Sequence, residues 1–196
     1  MDGTQRLVWK DGLKLMIVHS GYNRLIPGGR GFKMIIRLAQ QSDLPSIVEI
    51  YNQAIPTKQS TGDLQPVRVE DRVAWFENHP PGKYPIFVAE DAGLVVGWCS
   101  LSAYRQGRAA FRHSAEISYY ISFTDHRRGI GTALIEHALA ACPTLQLRHL
   151  FAIVLENNQA SIRLLEKMGF EKWGYLPRVA DFGGREVGHL YYGRHV

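Results

Sequence analysis

Residues 115–142 read AEISYYISFTDHRRGIGTALIEHALAAC, and no other stretch limits the fold of this chain as strongly. The opening segment AEISYYISF, rich in β-branched and aromatic side chains, predicts a strand. Leu134, Ile135, Ala138 and Cys142 then keep the spacing of one helix face. Arg127, Arg128, Gly129 and Gly131 stand at the junction. Glycine lowers helix stability, so a pair of them at a helix entrance implies a backbone that something approaches closely. Strand, glycine turn and helix together make an anion site, because first-turn N–H groups point outward at the positive end of the helix dipole. The same glycines equally suit close packing of a helix on a strand, and spacing alone leaves both readings open.

The better-known phosphate binders do not fit. There is no G-x-x-x-x-G-K-[ST] motif. Gly129 and Gly131 match the first two positions of G-x-G-x-x-G, but the third is Leu134, and the strands before the loop predict a hairpin rather than a βαβ unit. The histidines show no H-E-x-x-H or other metal spacing, and there is no G-x-S-x-G nucleophile elbow. No metal site is expected.

The remaining elements follow in order. MIIRLA, from Met34, reads as a short buried strand. SDLPSIVEIYNQAI predicts a helix with Ser42 or Asp43 as N-cap. Residues 69–79, VEDRVAWFENH, predict a second helix stopped by Pro80 and Pro81. PIFVAE and LVVGWCSLSAY flank Asp91-Ala92-Gly93, a hairpin signal. HLFAIVL is the continuous apolar run of a strand covered on both sides. NQASIRLLEKMGF predicts a helix capped by Asn158 and closed by Gly169, and GHLYYGRHV is strand-like. The order β-α-α-β-β-β-α-β-α-β-β predicts an α/β (α+β) domain, a mixed central sheet flanked by about four helices.

The formal net charge of +5 is unevenly placed. Residues 1–33 hold six Lys/Arg against two Asp/Glu, which leaves 17 basic and 16 acidic groups in the rest. The basicity belongs to the leader, and a nearly neutral domain argues against a nucleic-acid groove. HSGYNRLIPGGRGFK, residues 19–33, has no sustained helical or strand period. Residues 1–33 are therefore expected to be an N-terminal extension and 34–196 the domain. No apolar run approaches the roughly 18 residues that span a bilayer, and the start lacks a secretory pattern. A cytoplasmic protein without a membrane partner is expected, with Cys99 and Cys142 as buried free thiols.

HRRGIGTAL resembles the pyrophosphate loop of the GNAT N-acetyltransferases, whose usual pattern is Gln/Arg-x-x-Gly-x-Gly/Ala. NNQASIRLLEKMGF is similar to the later segment that in this family begins with an Asn contacting the pantetheine arm. The two motifs stand in the family's order and separation, and the resemblance runs from Met34 to roughly the C-terminus. Within the family, MIIRLAQQSDLPSIVEIYNQ and FRHSAEISYYIS resemble the phosphinothricin (methionine sulfoximine) acetyltransferase branch. That branch carries an acidic residue thirteen positions before the first loop glycine; here it is Glu116, ahead of Gly129. The resemblance implies the GNAT fold and acetyl-CoA as donor, and a homodimer is expected. It also implies that Ile121 and Phe123 offer backbone groups to the pantetheine, that Arg128, Gly129, Ile130, Gly131 and Thr132 wrap the pyrophosphate, and that Asn158 holds the arm from the other side. His126 stands where Gln or Arg is usual. Leu165 falls where many relatives carry a Tyr or His acid, which leaves the general acid unassigned.

Acetyl transfer to an amine needs that amine neutral, and aliphatic amines are protonated at pH 7, so a base is useful. Glu116 is the candidate base. Tyr104, Arg105 and Arg112, with Arg108 and Phe111, lie in the loop just before it, where a guanidinium suits a substrate carboxylate. The expected activity is acetyl transfer to the amine of a small amino-acid-like molecule of the phosphinothricin or methionine sulfoximine type. The alternatives are a protein or peptide N-acetyltransferase and a non-catalytic acyl-CoA-binding module.

Overall fold

A computed structural model of the chain describes the backbone of residues 6–10, 13–17, 24–27 and 33–196, with side chains from residue 34 onward. Strands β1 (Arg6–Lys10) and β2 (Leu13–Ile17) pair with each other as an antiparallel hairpin. The main sheet has eight strands in the order β3-β4-β5-β6-β7-β8-β10-β9. Its members are β3 (Arg24–Pro27), β4 (Lys33–Leu38), β5 (Ile86–Asp91), β6 (Leu94–Ala103), β7 (Ser114–Ile121), β8 (His149–Leu155), β9 (Glu171–Asp181) and β10 (Glu186–His195). β3 corrects the reading of residues 19–33 as patternless, because Arg24–Pro27 pairs antiparallel with β4. Four residues at a sheet edge need only backbone partners, and an edge tolerates Pro27, so no side-chain period announces the strand.

From β4 onward the element order agrees with the periodicity. Helices α1 (Leu44–Ala54) and α2 (Val73–Glu77) cover one face, where Ile47 and Ile50 pack with Val88 and Trp98, and Trp75 and Phe76 pack against them. Helices α3 (Ile130–Ala141) and α4 (Gln159–Lys167) cover the other, where Leu134, Ala138 and Leu165 meet Leu101, Ile117 and Leu150. Cys99 and Cys142 are free and buried. The start of α1 differs from the expected cap. Asp43 occupies the N-cap position, but its carboxylate accepts from Arg37 and from the Gln40 N–H instead of the helix. Burial pushes the Asp43 carboxyl up, yet Arg37 and that N–H hold it below the ordinary range. Arg37 also donates to Glu90 at 2.7 Å, so one guanidinium ties β4, α1 and β5 together.

Side chains alternate along a strand, so β7 presents two different surfaces. Ile117, Tyr119 and Ile121 face α3 and α4, whereas Tyr120, and with it Glu116 and Ser118, faces α1 and α2. β7 and β8 run parallel and pair only from Ser114–His149 to Glu116–Phe151. Beyond that point the two strands separate.

Candidate active site

The separation leaves residues 117–121 of β7 without a strand partner on the β8 side and opens a cleft of about 670 Å³. Ile117, Tyr119 and Ile121 of β7, Ala152 and Val154 of β8, the entrance of α3, and Asn158, Ser161 and Leu165 line it. No side chain caps α3 at Gly129, so the first-turn N–H groups that a helix cannot satisfy internally remain for a ligand. Gly129 has φ +79°, a left-handed conformation that a side chain would strain. Gly131 serves close approach: a Cβ there would stand 2.9 Å from Leu164 Cδ2 and 3.4 Å from Ile121 Cδ1. The two glycines therefore have separate reasons, one of conformation and one of space. His126, Arg127 and Arg163 bring donors and positive charge to the same cleft.

On the opposite surface of β7, Glu116 stands directly between Ser102 of β6 and Phe151 of β8. Phe151 stacks on Tyr104 with ring centroids 4.3 Å apart. Burial beside these rings pushes the Glu116 carboxyl above its ordinary pKa. A second, smaller pocket of about 140 Å³ lies on this face, walled by Tyr51, Arg72, Trp75, Trp98 and Tyr120, with Ser100, Ser102 and Ser118. Ser118 and Tyr120 line both cavities, which therefore adjoin two residues beyond the base candidate; Glu116 itself lines neither. His79 Nδ1 donates to the Trp75 carbonyl at 2.6 Å, which leaves Nε2 to accept from the Ser102 hydroxyl at 2.9 Å. Burial lowers the His79 pKa, in keeping with this neutral ring.

A helix entrance with no side-chain cap, a split between parallel strands and a half-buried carboxylate at the apex of that split are arranged as acyl transfer from a phosphate-bearing carrier requires. The sequence matches the acetyltransferase (GNAT) domain family over residues 33–171. The chain belongs to the GNAT acetyltransferases. It is 38% identical over 83% of its length to YwnH of Bacillus subtilis, provisionally named a phosphinothricin acetyltransferase, and covers 99% of that protein. It is 34% identical over 76% of its length to the L-methionine sulfoximine/L-methionine sulfone acetyltransferase of Pseudomonas aeruginosa, covering 87% of it. A GNAT phosphinothricin acetyltransferase from Sinorhizobium meliloti, solved with acetyl-CoA, superposes with a TM-score of 0.77 at 30% identity, over 82% of this chain and 87% of that one.

Within this GNAT scaffold the structure gathers most of the residues singled out from sequence, but not all in the expected poses. Ile121, Phe123, Gly129, Ile130, Gly131, Thr132 and Asn158 all line the cleft. Arg128 does not: its guanidinium is turned away and held by Asp91 and Asp125. The cations at the cleft are Arg127, next in sequence, and Arg163 from the outer side of α4. The Ile121 carbonyl accepts from His126 Nε2 at 3.1 Å, and the Phe123 N–H donates to Gln53 Oε1 at 3.0 Å. Asn158 caps α4 through the Ser161 N–H and donates to Ser60 Oγ, so both ends of its amide are engaged within the protein. Leu165 is buried core.

The acceptor side is the least anticipated part. Arg105 and Arg112 line neither cavity; Arg105 lies over the Tyr104 ring at 5.6 Å, and Arg112 donates to the Ala109 carbonyl. The guanidinium in the smaller pocket is that of Arg72, which sits 4.7 Å over Tyr51 and 3.3 Å from Asp63. Its only sequence signal is its place one helical turn before Phe76 and three residues before Trp75. Among the described residues no group of three His, Cys, Asp or Glu side chains is placed to hold a metal ion, and no helix is long and apolar enough to cross a membrane.

Proposed function

We propose that this GNAT enzyme transfers the acetyl group of acetyl-CoA to the α-amine of a small amino acid or analogue, methionine sulfone, methionine sulfoximine and phosphinothricin being the first to test. The observation that carries the proposal is Glu116, half-buried at the last paired position before β7 and β8 separate and two residues before Ser118, which lines both cavities. In this reading the diphosphate sits on the N–H groups of Gly129–Thr132 near Arg127 and Arg163, and the arm runs along the unpaired edge of β7. Glu116 takes the amine's proton, directly or through water, and a β7 backbone N–H faces the developing oxyanion.

Arg105 is assigned to the substrate carboxylate, with Tyr104 beneath it and Arg112 as a second cation. The support is by difference. Arg128 is spent on two carboxylates and Arg72 on Asp63 and two aromatic faces, whereas among the described residues the Arg105 guanidinium has the Tyr104 ring and no carboxylate against it. The aromatic pocket with Arg72 in its wall suits a neutral substrate side chain and repels polyamines and aminoglycosides. The test is thiol release at saturating acetyl-CoA with methionine sulfone, phosphinothricin, spermidine, kanamycin and an alanine-ended peptide. Turnover of the amino acids is expected, with the amino-acid KM raised at least about tenfold in R105A while kcat changes little. Turnover of the peptide alone favours a protein N-acetyltransferase, and turnover of none favours an acyl-CoA-binding module.

Two further parts of the reading concern assembly. The catalytic domain is assigned to residues 34–196, with 1–33 as an extension that adds the edge strand β3 to its sheet, on the support of a family match that begins at residue 33. The enzyme is assigned as a cytoplasmic homodimer joined through β9. This edge strand exposes Trp173, Tyr175, Leu176 and Val179 beside unpaired backbone. Light scattering is expected to give twice the chain mass for the wild type and a monomer for the double variant L176E/V179E; a wild-type monomer would remove this assignment.

A further inference from the structure

The smaller pocket holds a serine whose hydroxyl points in a direction that its surroundings fix. Ser102 is the cross-strand partner of Glu116 in the β6–β7 register, so the two side chains stand on one sheet face with Cβ atoms about 5 Å apart. Glu116 lines neither cavity, whereas Ser102 lines the pocket beside it. Ser102 is therefore the polar pocket group directly across the strand pair from the base candidate.

The direction of its proton follows from His79. A carbonyl oxygen only accepts, so the 2.6 Å contact between His79 Nδ1 and the Trp75 carbonyl places the ring proton on Nδ1. In the neutral ring Nε2 then carries a lone pair, and the Ser102 hydroxyl donates to it at 2.9 Å. Burial lowers the His79 pKa and favours this neutral form. The imidazole also packs against the Trp75 ring, with centroids 4.7 Å apart.

With its one proton committed to His79, Ser102 Oγ offers the pocket only lone pairs. A neutral amine has the matching requirement: its N–H groups need acceptors, and its own lone pair must stay bare to attack the acetyl carbon. A serine free to rotate would be able to donate into that lone pair and mask the nucleophile. It would equally be able to donate to Glu116, and a carboxylate stabilised in this way is a weaker base. The contact with His79 removes both options.

We propose that Ser102 Oγ accepts a hydrogen bond from the substrate amine, and that His79 is the positioning residue that fixes the polarity of this hydroxyl. Ser102 holds the amine through one N–H while Glu116 takes the proton that must leave, directly or through water. No proton is transferred to Ser102 or His79. The assignment rests on the pocket's holding a small amino acid, and its test separates the two.

The experiment compares wild type, S102A, H79F and the double variant in the full chain by steady-state kinetics with methionine sulfone at saturating acetyl-CoA. It also measures competitive inhibition by the desamino analogue of methionine sulfone, which keeps the carboxylate and the sulfone but has no amine. S102A is expected to lower kcat/KM at least about tenfold, with the analogue's inhibition constant and the acetyl-CoA Kd within twofold. A pocket that had merely lost its shape would weaken the analogue as well. H79F is expected to lower kcat/KM about threefold or more in the wild-type background but less than twofold in S102A, because His79 acts through that hydroxyl. Unchanged kcat/KM in S102A overturns the proposal, as does equal weakening of substrate and analogue. Additive effects in the double variant overturn the part assigned to His79. Wild-type protein that acetylates none of the amino acids ends the reading of the pocket and this assignment together, whereas an active wild type with an equally active S102A ends this assignment alone.

Discussion

Glu116→Gln is expected to lower kcat on the order of 10²-fold or more while leaving acetyl-CoA affinity within twofold. The amide keeps the shape of the carboxylate but cannot take a proton, and the residues assigned to the carrier lie further along β7 and at the α3 entrance. The pH dependence follows from the direction of the shift. Burial raises the Glu116 carboxyl, so its protonated, inactive form persists to higher pH than for an exposed glutamate. The wild-type rate should fall as pH drops through a value above the ordinary carboxylate range, and E116Q should lack that acid limb. Near-normal turnover of E116Q between about pH 6 and 9 would make Glu116 a structural carboxylate.

Gly131→Val is expected to weaken acetyl-CoA binding at least about 100-fold with the fold retained. The Cβ alone would meet Leu164 Cδ2 at 2.9 Å, and that neighbour is the end of a flexible side chain lining the cleft. Leu164 and Ile121 therefore yield by moving into the carrier's space, so the cost falls on binding rather than on the core. Gly129→Ala is the informative control. Nothing lies within 4 Å of its Cβ, but φ +79° strains any side chain, so the cost is in stability, about 1 kcal/mol. Calorimetry and thermal unfolding of the two variants read these effects separately. An acetyl-CoA affinity unchanged in G131V would remove the α3 entrance from the binding site.

Local chemistry made the α3 entrance legible. A strand pattern, two glycines and a helix pattern within one short stretch can only bring a strand end to a helix N-terminus, and the glycine spacing survives in one dimension. The element order from Met34 was legible for the same reason, since periods of 2 and 3.6 are written along the chain. Glu116 was singled out because it stands where the resemblance to the phosphinothricin branch puts an acidic residue, thirteen positions before Gly129, and it is the single carboxylate between Leu94 and Phe123.

The sequence alone thus determined the succession of strands and helices and the glycine turn at the α3 entrance, which depend on near neighbours, while the base candidate came from the family resemblance. Only the tertiary structure decided how these parts are spent. Arg128 looked free beside the loop, but Asp91 comes to it from a hairpin 37 residues away. Asn158 looked available, but Ser60 engages it from the α1–α2 connection. The strand β3 carries no period because an edge needs only backbone pairing. The smaller pocket assembles Arg72 and Trp75 from α2 with Tyr51 from α1 and serines from β6 and β7, and no spacing in the chain anticipates that meeting. The division has a physical cause: hydrogen-bond periodicity and turn conformation are set over a few residues, whereas the partner of a charge, the strand beside a strand and the wall of a cavity are set by how the whole chain packs.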